Sequence, residues 1–239
     1  MYYCLNKYNI YILMITINHP IYGNIKCFNN NDYISSIIIN GEVWEEDLFN
    51  NHIKPYIKND TTVIDCGAYI GTHSILINQL NRNNDIIAVE MMPEHYKLLV
   101  YNIKINNYNN ILPMNNALSD KFEWLPLPDV NYNFNGNTNY GMSSLHFQKS
   151  NQYIPSFTLD SMEVYLRKPL SFIKMDLEGY ELIALRGGLN IITKYKPVIL
   201  IEIWNANVDV FKASNEYKYL ESIGYKLNHI KDDDYFLSQ

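Results

Sequence analysis

The sequence predicts a doubly wound α/β domain, a mostly parallel sheet with helices on both faces. Three observations carry that class. Thr61 to Ile64 is a short apolar strand that meets a glycine-punctuated turn, with Gly67 and Gly71, and a helix beginning near Ile70 and running to about Leu80. Ile86 to Val89 is a second apolar strand, closed by Glu90. Leu170 to Met175 and Val198 to Ile201 are nearly continuous apolar runs, the pattern of parallel strands covered on both faces. The domain is expected over 59–239, behind an N-terminal extension, 1–58, of β-like runs and a lead-in helix.

Gly67 and Gly71 permit a tight turn and let backbone N–H groups approach a ligand closely. Asp65 stands at the carboxyl end of its strand, where parallel α/β sheets bind ligands. An acid there repels a pyrophosphate and attracts an ammonium or sulfonium, which points to S-adenosylmethionine rather than a dinucleotide. Glu90, 19 residues beyond Gly71, is placed to accept hydrogen bonds from both ribose hydroxyls. The glycine spacing is G-x-x-x-G, not the G-x-G-x-x-G of dinucleotide sites. Cys66 reads as a small apolar residue packed in the turn, not as a nucleophile.

Before the turn, residues 1–41 alternate β-like runs (Ile10–Ile17, Tyr33–Ile39) with turns at His19-Pro20 and Asn40-Gly41. Glu42 to Phe49 begins a helix with acids in its first turn, as the helix dipole favours. Beyond Glu90, Pro93 opens a helix at its first turn, where the missing N–H is harmless. Tyr96, Leu99, Val100 and Ile103 have the i, i+3, i+4, i+7 spacing of a buried face. Ile111 to Met114 is the third strand, with Pro113 tolerable near a strand start. The loop that follows, Asn115-Asn116-Ala117-Leu118, fits recognition of an adenine edge and a plain Asn-rich turn equally well. Residues 119–160 form a variable insert, facing substrate over 125–155, with turns at Gly136-Asn137 and Tyr140-Gly141.

The fourth strand delivers Lys174-Met175-Asp176-Leu177-Glu178-Gly179-Tyr180-Glu181. Side chains alternate along a strand, so Lys174 and Asp176 share a face and Glu178 lies just past the end. Ionisable groups packed around a strand terminus are costly without a partner or a job; a salt-bridge cluster and an acceptor site both satisfy that condition. Gly187-Gly188 interrupts the next helix, and Pro197 leads into the fifth strand, which ends in Glu202. Asp176, Glu202 and Asn205 are a set that suits a hard cation, although no metal is expected. Phe211 to about Ile223 reads as one helix capped by Gly224, followed by strands around Tyr225–Ile230 and Tyr235–Leu237.

At 239 residues, 47% hydrophobic and 18% charged, the chain has the composition of a globular protein. Its formal charge is −6, and its only arginines are Arg82, Arg167 and Arg186. That disfavours a nucleic-acid substrate, which needs a basic footprint and arginine forks. Cys4, Cys27 and Cys66 show no metal-like spacing, so a reducing, cytoplasmic setting is expected. The Ile10–Ile17 run is too short to cross a membrane and lacks the flanks of a signal peptide.

Over roughly 42–204 the chain resembles the FkbM family of S-adenosylmethionine-dependent methyltransferases. The carrying stretches are Val63–His73 (V-I-D-C-G-A-Y-I-G-T-H), Ala88–Pro93 (A-V-E-M-M-P), Asn116–Asp120 (N-A-L-S-D), Thr158–Asp160 (T-L-D), Ile173–Glu181 (I-K-M-D-L-E-G-Y-E) and Pro197–Glu202 (P-V-I-L-I-E). The family usually carries Asn where Tyr69 stands and Pro where Met91 stands. The resemblance implies a Rossmann-like class I sheet of seven strands and methyl transfer to a hydroxyl of a sugar, glycan or small metabolite. It implies a cofactor site of Asp65, Gly67, Ala68, Tyr69, Gly71, Thr72, Glu90, Met91, Asn116, Ala117 and Asp176.

A sulfonium is already an activated methyl donor, so the enzyme's task is in-line positioning and removal of the acceptor's proton. Asp176, Glu178, Lys174 and His73 are the expected catalytic groups, with His146 a further base candidate. The acceptor is expected to be a small molecule or a carbohydrate, with no membrane partner. The rival classes are an RNA ribose methyltransferase, a nicotinamide oxidoreductase and a catalytically silent binding module of the same fold.

Overall fold

The computed structural model describes residues 14–29, 31–132, 138–146 and 149–239. Cys4, the start of the Ile10–Ile17 run and the Gly136-Asn137 turn lie outside the described residues. In chain order, β1 (Met14–His19) and β2 (Gly23–Phe28) form an antiparallel hairpin, followed by α1 (Tyr33–Ile39). A short α2 (Glu46–Leu48) runs on through a π turn and a 3-10 turn to Tyr56. Then come β3 (Thr62–Cys66), α3 (Thr72–Leu80), β4 (Asp85–Val89), α4 (Pro93–Ile105) and β5 (Ile111–Met114). The insert contributes β6 (Ala117–Leu118), β7 (Trp124–Pro128) and β8 (Lys149–Phe157). The chain closes with β9 (Leu170–Met175), α5 (Glu181–Arg186), α6 (Leu189–Tyr195), β10 (Val198–Glu202), α7 (Val208–Ala213), α8 (Asn215–Ser222), β11 (Lys226–Lys231) and β12 (Asp234–Ser238).

The central sheet has seven strands in the order β11-β12-β10-β9-β3-β4-β5. The neighbours from β10 to β5 are all parallel, and β12 alone runs the other way. Alternation along the strands divides two cores. Val63, Ile86, Phe172 and Leu200 face a cluster with Leu98, Leu99 and Ile103 of α4 and Ile34 and Ile38 of α1. Ile64, Ile87, Ile173 and Ile199 face the other, with Ala184, Leu185, Ile191, Ile192 and Leu220 of the later helices. The N-terminal hairpin and α1 therefore share a core with the main sheet, through Tyr22, Ile25 and Phe28.

Several elements differ from the sequence expectation. Tyr33–Ile39 is a helix, not a β-like run, because Asp32 caps it: the carboxylate accepts the Ser35 N–H at 2.8 Å. Its buried Ile34 and Ile38 repeat at four, not two. The helix expected from Glu42 starts only at Glu46, since Glu45 sits in the left-handed region at φ +51°. Ala117-Leu118 is not a loop but a strand paired with Ser156-Phe157. The last helix is two, α7 and α8, parted at Ser214, whose extended backbone and side-chain oxygen cap α8.

Gly67 has φ +80°, and a Cβ there would lie 1.9 Å from the Asp176 carbonyl oxygen. The ends of β3 and β9 can close on each other only over a glycine. Gly224 also has positive φ, +101°, but a Cβ there meets only ordinary contacts at 3.9 Å. Gly224→Ala should therefore cost about 1–2 kcal/mol, the left-handed penalty alone. Gly67→Ala should add a backbone clash and exceed ~3 kcal/mol. Urea denaturation of both variants checks the pair, and equal losses would refute the close approach.

Candidate active site

The carboxyl ends of β3, β4, β9 and β10 open on a cavity of ≈280 Å³. At one end is the turn after β3. The Gly67 and Ala68 N–H groups both donate to the Val89 carbonyl, at 3.0 and 2.9 Å, and the Gly71 N–H donates to Ala68. The amides expected to meet a ligand are thus used inside the turn, because the neighbouring strand's last carbonyl lies beneath it. Recognition there falls to side chains and to Cα surface. Gly67, Ala68, Tyr69 and Thr72 line the cavity, while Gly71 does not.

Glu90 lies across from that turn and is buried. Its Oε2 accepts the Tyr69 N–H at 2.8 Å and its Oε1 the Met92 N–H at 2.7 Å. His95 Nδ1 approaches Oε1 at 3.5 Å. Met91, Asn116 and Ala117 line the same end. The Asn116 side chain donates to the Pro155 carbonyl at 3.3 Å, tying the insert to this wall.

Asp65 is placed differently from the sequence expectation. It is fully buried, lies off the cavity, and accepts the Ser74 hydroxyl at 2.6 Å. Its Oδ1 has no hydrogen-bond partner among the described residues. Asp65 stands opposite Lys174 in the β3–β9 register, so its charge faces a buried ammonium rather than the cavity. Burial raises its carboxyl pKa, and Lys174 opposes the rise.

Lys174, Asp176 and Glu178 come together on the cavity as expected. Lys174 Nζ donates to Asp176 Oδ2 at 2.9 Å and is almost wholly buried. Burial alone would lower its pKa, but Asp176, Asp65 and Glu45 together raise it, so the ammonium keeps its proton. Glu178 occupies a left-handed position at φ +53° in the turn after β9. Glu181 holds that turn by accepting the Leu177 and Gly179 N–H groups at 2.7 and 3.2 Å. Burial, then Asp176, pushes the Glu178 carboxyl up to about 8. Glu202, at the end of β10, is pushed up to about 9 by burial and by Asp176.

Asp176, Glu178 and Glu202 each offer an oxygen within 4.8 Å of the others. Asn205, set beside Asp176 and Glu202 by the sequence, is exposed and does not line the cavity. His73 lines the cavity and stacks on Phe49 at 6.3 Å. Burial, then Lys174, drives its pKa well down, so the imidazole is neutral. His146 is exposed and off the cavity, with Nε2 3.1 Å from the Gly179 carbonyl.

The sequence reading missed Glu45, His95 and the aromatic walls. Glu45 lines the cavity with Oε2 3.4 Å from His73 Nε2, and burial raises its carboxyl to about 7. Its local context, an acidic helix start, carried no sign of this. Trp44, Trp204 and Tyr180 supply flat apolar faces. Acids dominate the lining: among the described residues Glu45, Glu90, Asp176, Glu178, Glu202 and Asp233 share it with one ammonium, that of Lys174.

This acid excess makes stability depend on pH. The Glu202 carboxyl ionises near 4.5 when unperturbed and near 9 in the folded protein. Between those values the folded state holds the extra proton, so stability falls as pH rises through that window. Glu202→Gln should melt above the wild type at pH 8, by about 2–4 °C for each kcal/mol relieved, and match it near pH 4. Equal melting temperatures at pH 8 would show that the carboxyl is not perturbed.

No curated protein matches the chain. Among solved structures, the FkbM methyltransferase of Methylobacillus flagellatus is similar, with 19% identity and a TM-score of 0.53 over 74% of this chain and 43% of that one. The chain thus spans less than half of that protein's length, and the likeness shows a common fold. Precorrin-6y C5,15-methyltransferase from Geobacter metallireducens is also similar, at 12% identity and TM-score 0.44 over 82% of this chain and 90% of that one. So is Aeropyrum pernix fibrillarin with natively bound S-adenosyl-L-methionine, at 14% identity and TM-score 0.43 over 76% and 67%. The family described as "Methyltransferase FkbM domain" matches residues 65–227, more than half of the sequence. The chain belongs to the FkbM methyltransferase family.

Proposed function

We propose that this protein transfers a methyl group from S-adenosylmethionine to a hydroxyl of a carbohydrate or small-molecule acceptor. The observation that carries the reading is one continuous cavity lined both by Glu90 and the β3 turn and by Asp176 and Glu178. A carboxylate offers about four lone-pair sites, and the two backbone N–H groups on Glu90 leave others for a ribose diol. The cosubstrate supplies an activated methyl on a sulfonium. Met91, Asn116 and Ala117 would flank the nucleoside end, and Tyr69 would close over the turn. The net acid of the lining suits a cationic sulfonium and opposes a phosphate backbone, which favours the small acceptor over RNA. Trp44, Trp204 and Tyr180 join apolar faces to polar tips, which suits a sugar ring. Among the described residues Cys27 and Cys66 are buried free thiols, which fits a reducing, cytoplasmic setting. Among the described residues no helix is long and apolar enough to cross a membrane.

Glu178 is the base this site favours. Its carboxyl titrates near pH 8, close to the value at which a base is both deprotonated and strong. Asp176 is occupied by its 2.9 Å ion pair with Lys174, so it orients rather than deprotonates. His73 is a weaker base because its imidazole pKa is so low.

Two outcomes test the reading. Glu90→Ala should weaken binding of S-adenosylmethionine by about 1.5–3 kcal/mol by calorimetry, the range for hydrogen bonds to a charged group. It should also lower the unliganded melting temperature, because the Tyr69 and Met92 N–H groups lose their acceptor. Wild-type affinity in that variant would remove Glu90 from the cofactor site. With an acceptor found by product mass spectrometry against a glycan panel, single-turnover rate should rise with pH to a plateau above about 8. Glu178→Gln should keep cofactor affinity and lose about 10²–10⁴ in that rate; a full rate would exclude it as the base.

A further inference from the structure

Asp32 is fully buried in the N-terminal extension, and two distant segments meet its own helix start on its carboxylate. Oδ2 accepts the Ser35 N–H at 2.8 Å, the Ser35 hydroxyl at 2.6 Å and the Tyr69 hydroxyl at 2.8 Å. Oδ1 accepts the Tyr140 N–H at 3.0 Å. Next to it, Tyr33 N–H donates to the Thr138 carbonyl at 2.7 Å and Thr138 N–H to Asn31 at 2.8 Å. The insert segment 138–146 therefore hangs from the extension at one end. At the other, the Ser144 hydroxyl donates to the Glu178 carbonyl at 2.6 Å and His146 reaches Gly179. Between these anchors Asn139, Met142, Ser143 and Leu145 line the cavity.

Tyr69 links that segment to the cofactor turn. Its backbone is left-handed, φ +52°, a conformation that Asn tolerates and a bulky residue does not favour. What tyrosine adds over the family's usual Asn is a hydroxyl that reaches Asp32 while its own N–H is bound to Glu90 Oε2. A second route leaves the other oxygen: His95 Nδ1 stands 3.5 Å from Glu90 Oε1, and His95 Nε2 is 3.2 Å from the Tyr132 hydroxyl. The Tyr140 hydroxyl donates to the Tyr132 carbonyl at 2.8 Å. Both oxygens of Glu90 are thus connected to Tyr140.

The geometry points to Asp32 and Tyr69 as positioning residues that set the acceptor-side segment 138–146 according to occupancy of the cofactor site. This rests on the reading of Glu90 as the ribose acid. A diol on Glu90 fixes the carboxylate, the Tyr69 peptide and, through the Tyr69 hydroxyl, Asp32 and the Tyr140 N–H. Coupling of this kind is a difference in affinity between two arrangements and is reciprocal.

Amide hydrogen exchange over 138–146, with and without the product S-adenosylhomocysteine, tests it on the full chain. In the wild type the ligand should slow exchange there by at least about fivefold, the lower end of such couplings. In Tyr69→Phe, which keeps the ring and the N–H on Glu90, most of the slowing should be lost at a ligand concentration that calorimetry shows to saturate the variant. Asp32→Asn should act the same way if it folds, and Tyr69→Phe decides if it does not. A purely structural role would change exchange equally with and without ligand. Equal ligand-dependent slowing in wild type and Tyr69→Phe, or none in the wild type despite binding, would overturn the proposal alone. A wild type that binds no S-adenosylhomocysteine by calorimetry would overturn the methyltransferase reading and this proposal with it.

Discussion

One buried ammonium, that of Lys174, is the constraint on which the site depends. β9 carries it into the middle of the sheet, opposite Asp65 on β3 and two residues before Asp176. A charge so enclosed is tolerable only among opposite charges, and Asp176, Asp65 and Glu45 supply them. Their demands also run the other way. Asp65, with a bare Oδ1, has no other cation to answer it among the described contacts. The carboxyl ends of β3 and β9 are held together electrically as well as by the Asp176 N–H to Cys66 carbonyl bond at 3.1 Å.

The close approach that the ammonium requires explains the chemistry of the adjoining turn. With β3 and β9 in contact at Gly67, the chain crosses directly over the end of β4, and Val89 takes two of its N–H groups. The turn therefore spends its amides on its own shape. This inverts the logic of phosphate-binding glycine loops, where free amides meet an anion. In the function proposed above an acid, Glu90, takes their place as the recognition group, which suits a ligand bearing hydroxyls and positive charge.

Beyond the sheet, the site is completed by segments that contribute little to the main strands. Glu45 and Trp44 arrive from the extension, His95 from the first turn of α4, and residues 139–145 from the insert. Asp32 gathers the extension, the cofactor turn and the insert on one carboxylate. The described residues of the insert thereby face the cavity, packed on a small cluster of Met92, Ala117, Leu127, Leu145 and Ile154.

The sequence by itself determined β3, β4, β9 and β10 and the acids that end them, because apolar runs and turn residues are local signals that a parallel sheet reads directly. It also determined that Lys174, Asp176 and Glu178 share one site, since strand alternation and a tight turn leave them nowhere else to go. Only the tertiary structure decided that Tyr33–Ile39 is helical, because its cap, Asp32, is ordered by Tyr69 and Tyr140 from far along the chain. It likewise decided that Asp65 turns from the cavity to Lys174, and that Glu45 and His95 enter the cavity. In each case the outcome rests on which distant side chain or carbonyl lies opposite, and a pattern of neighbours along the chain holds no record of that.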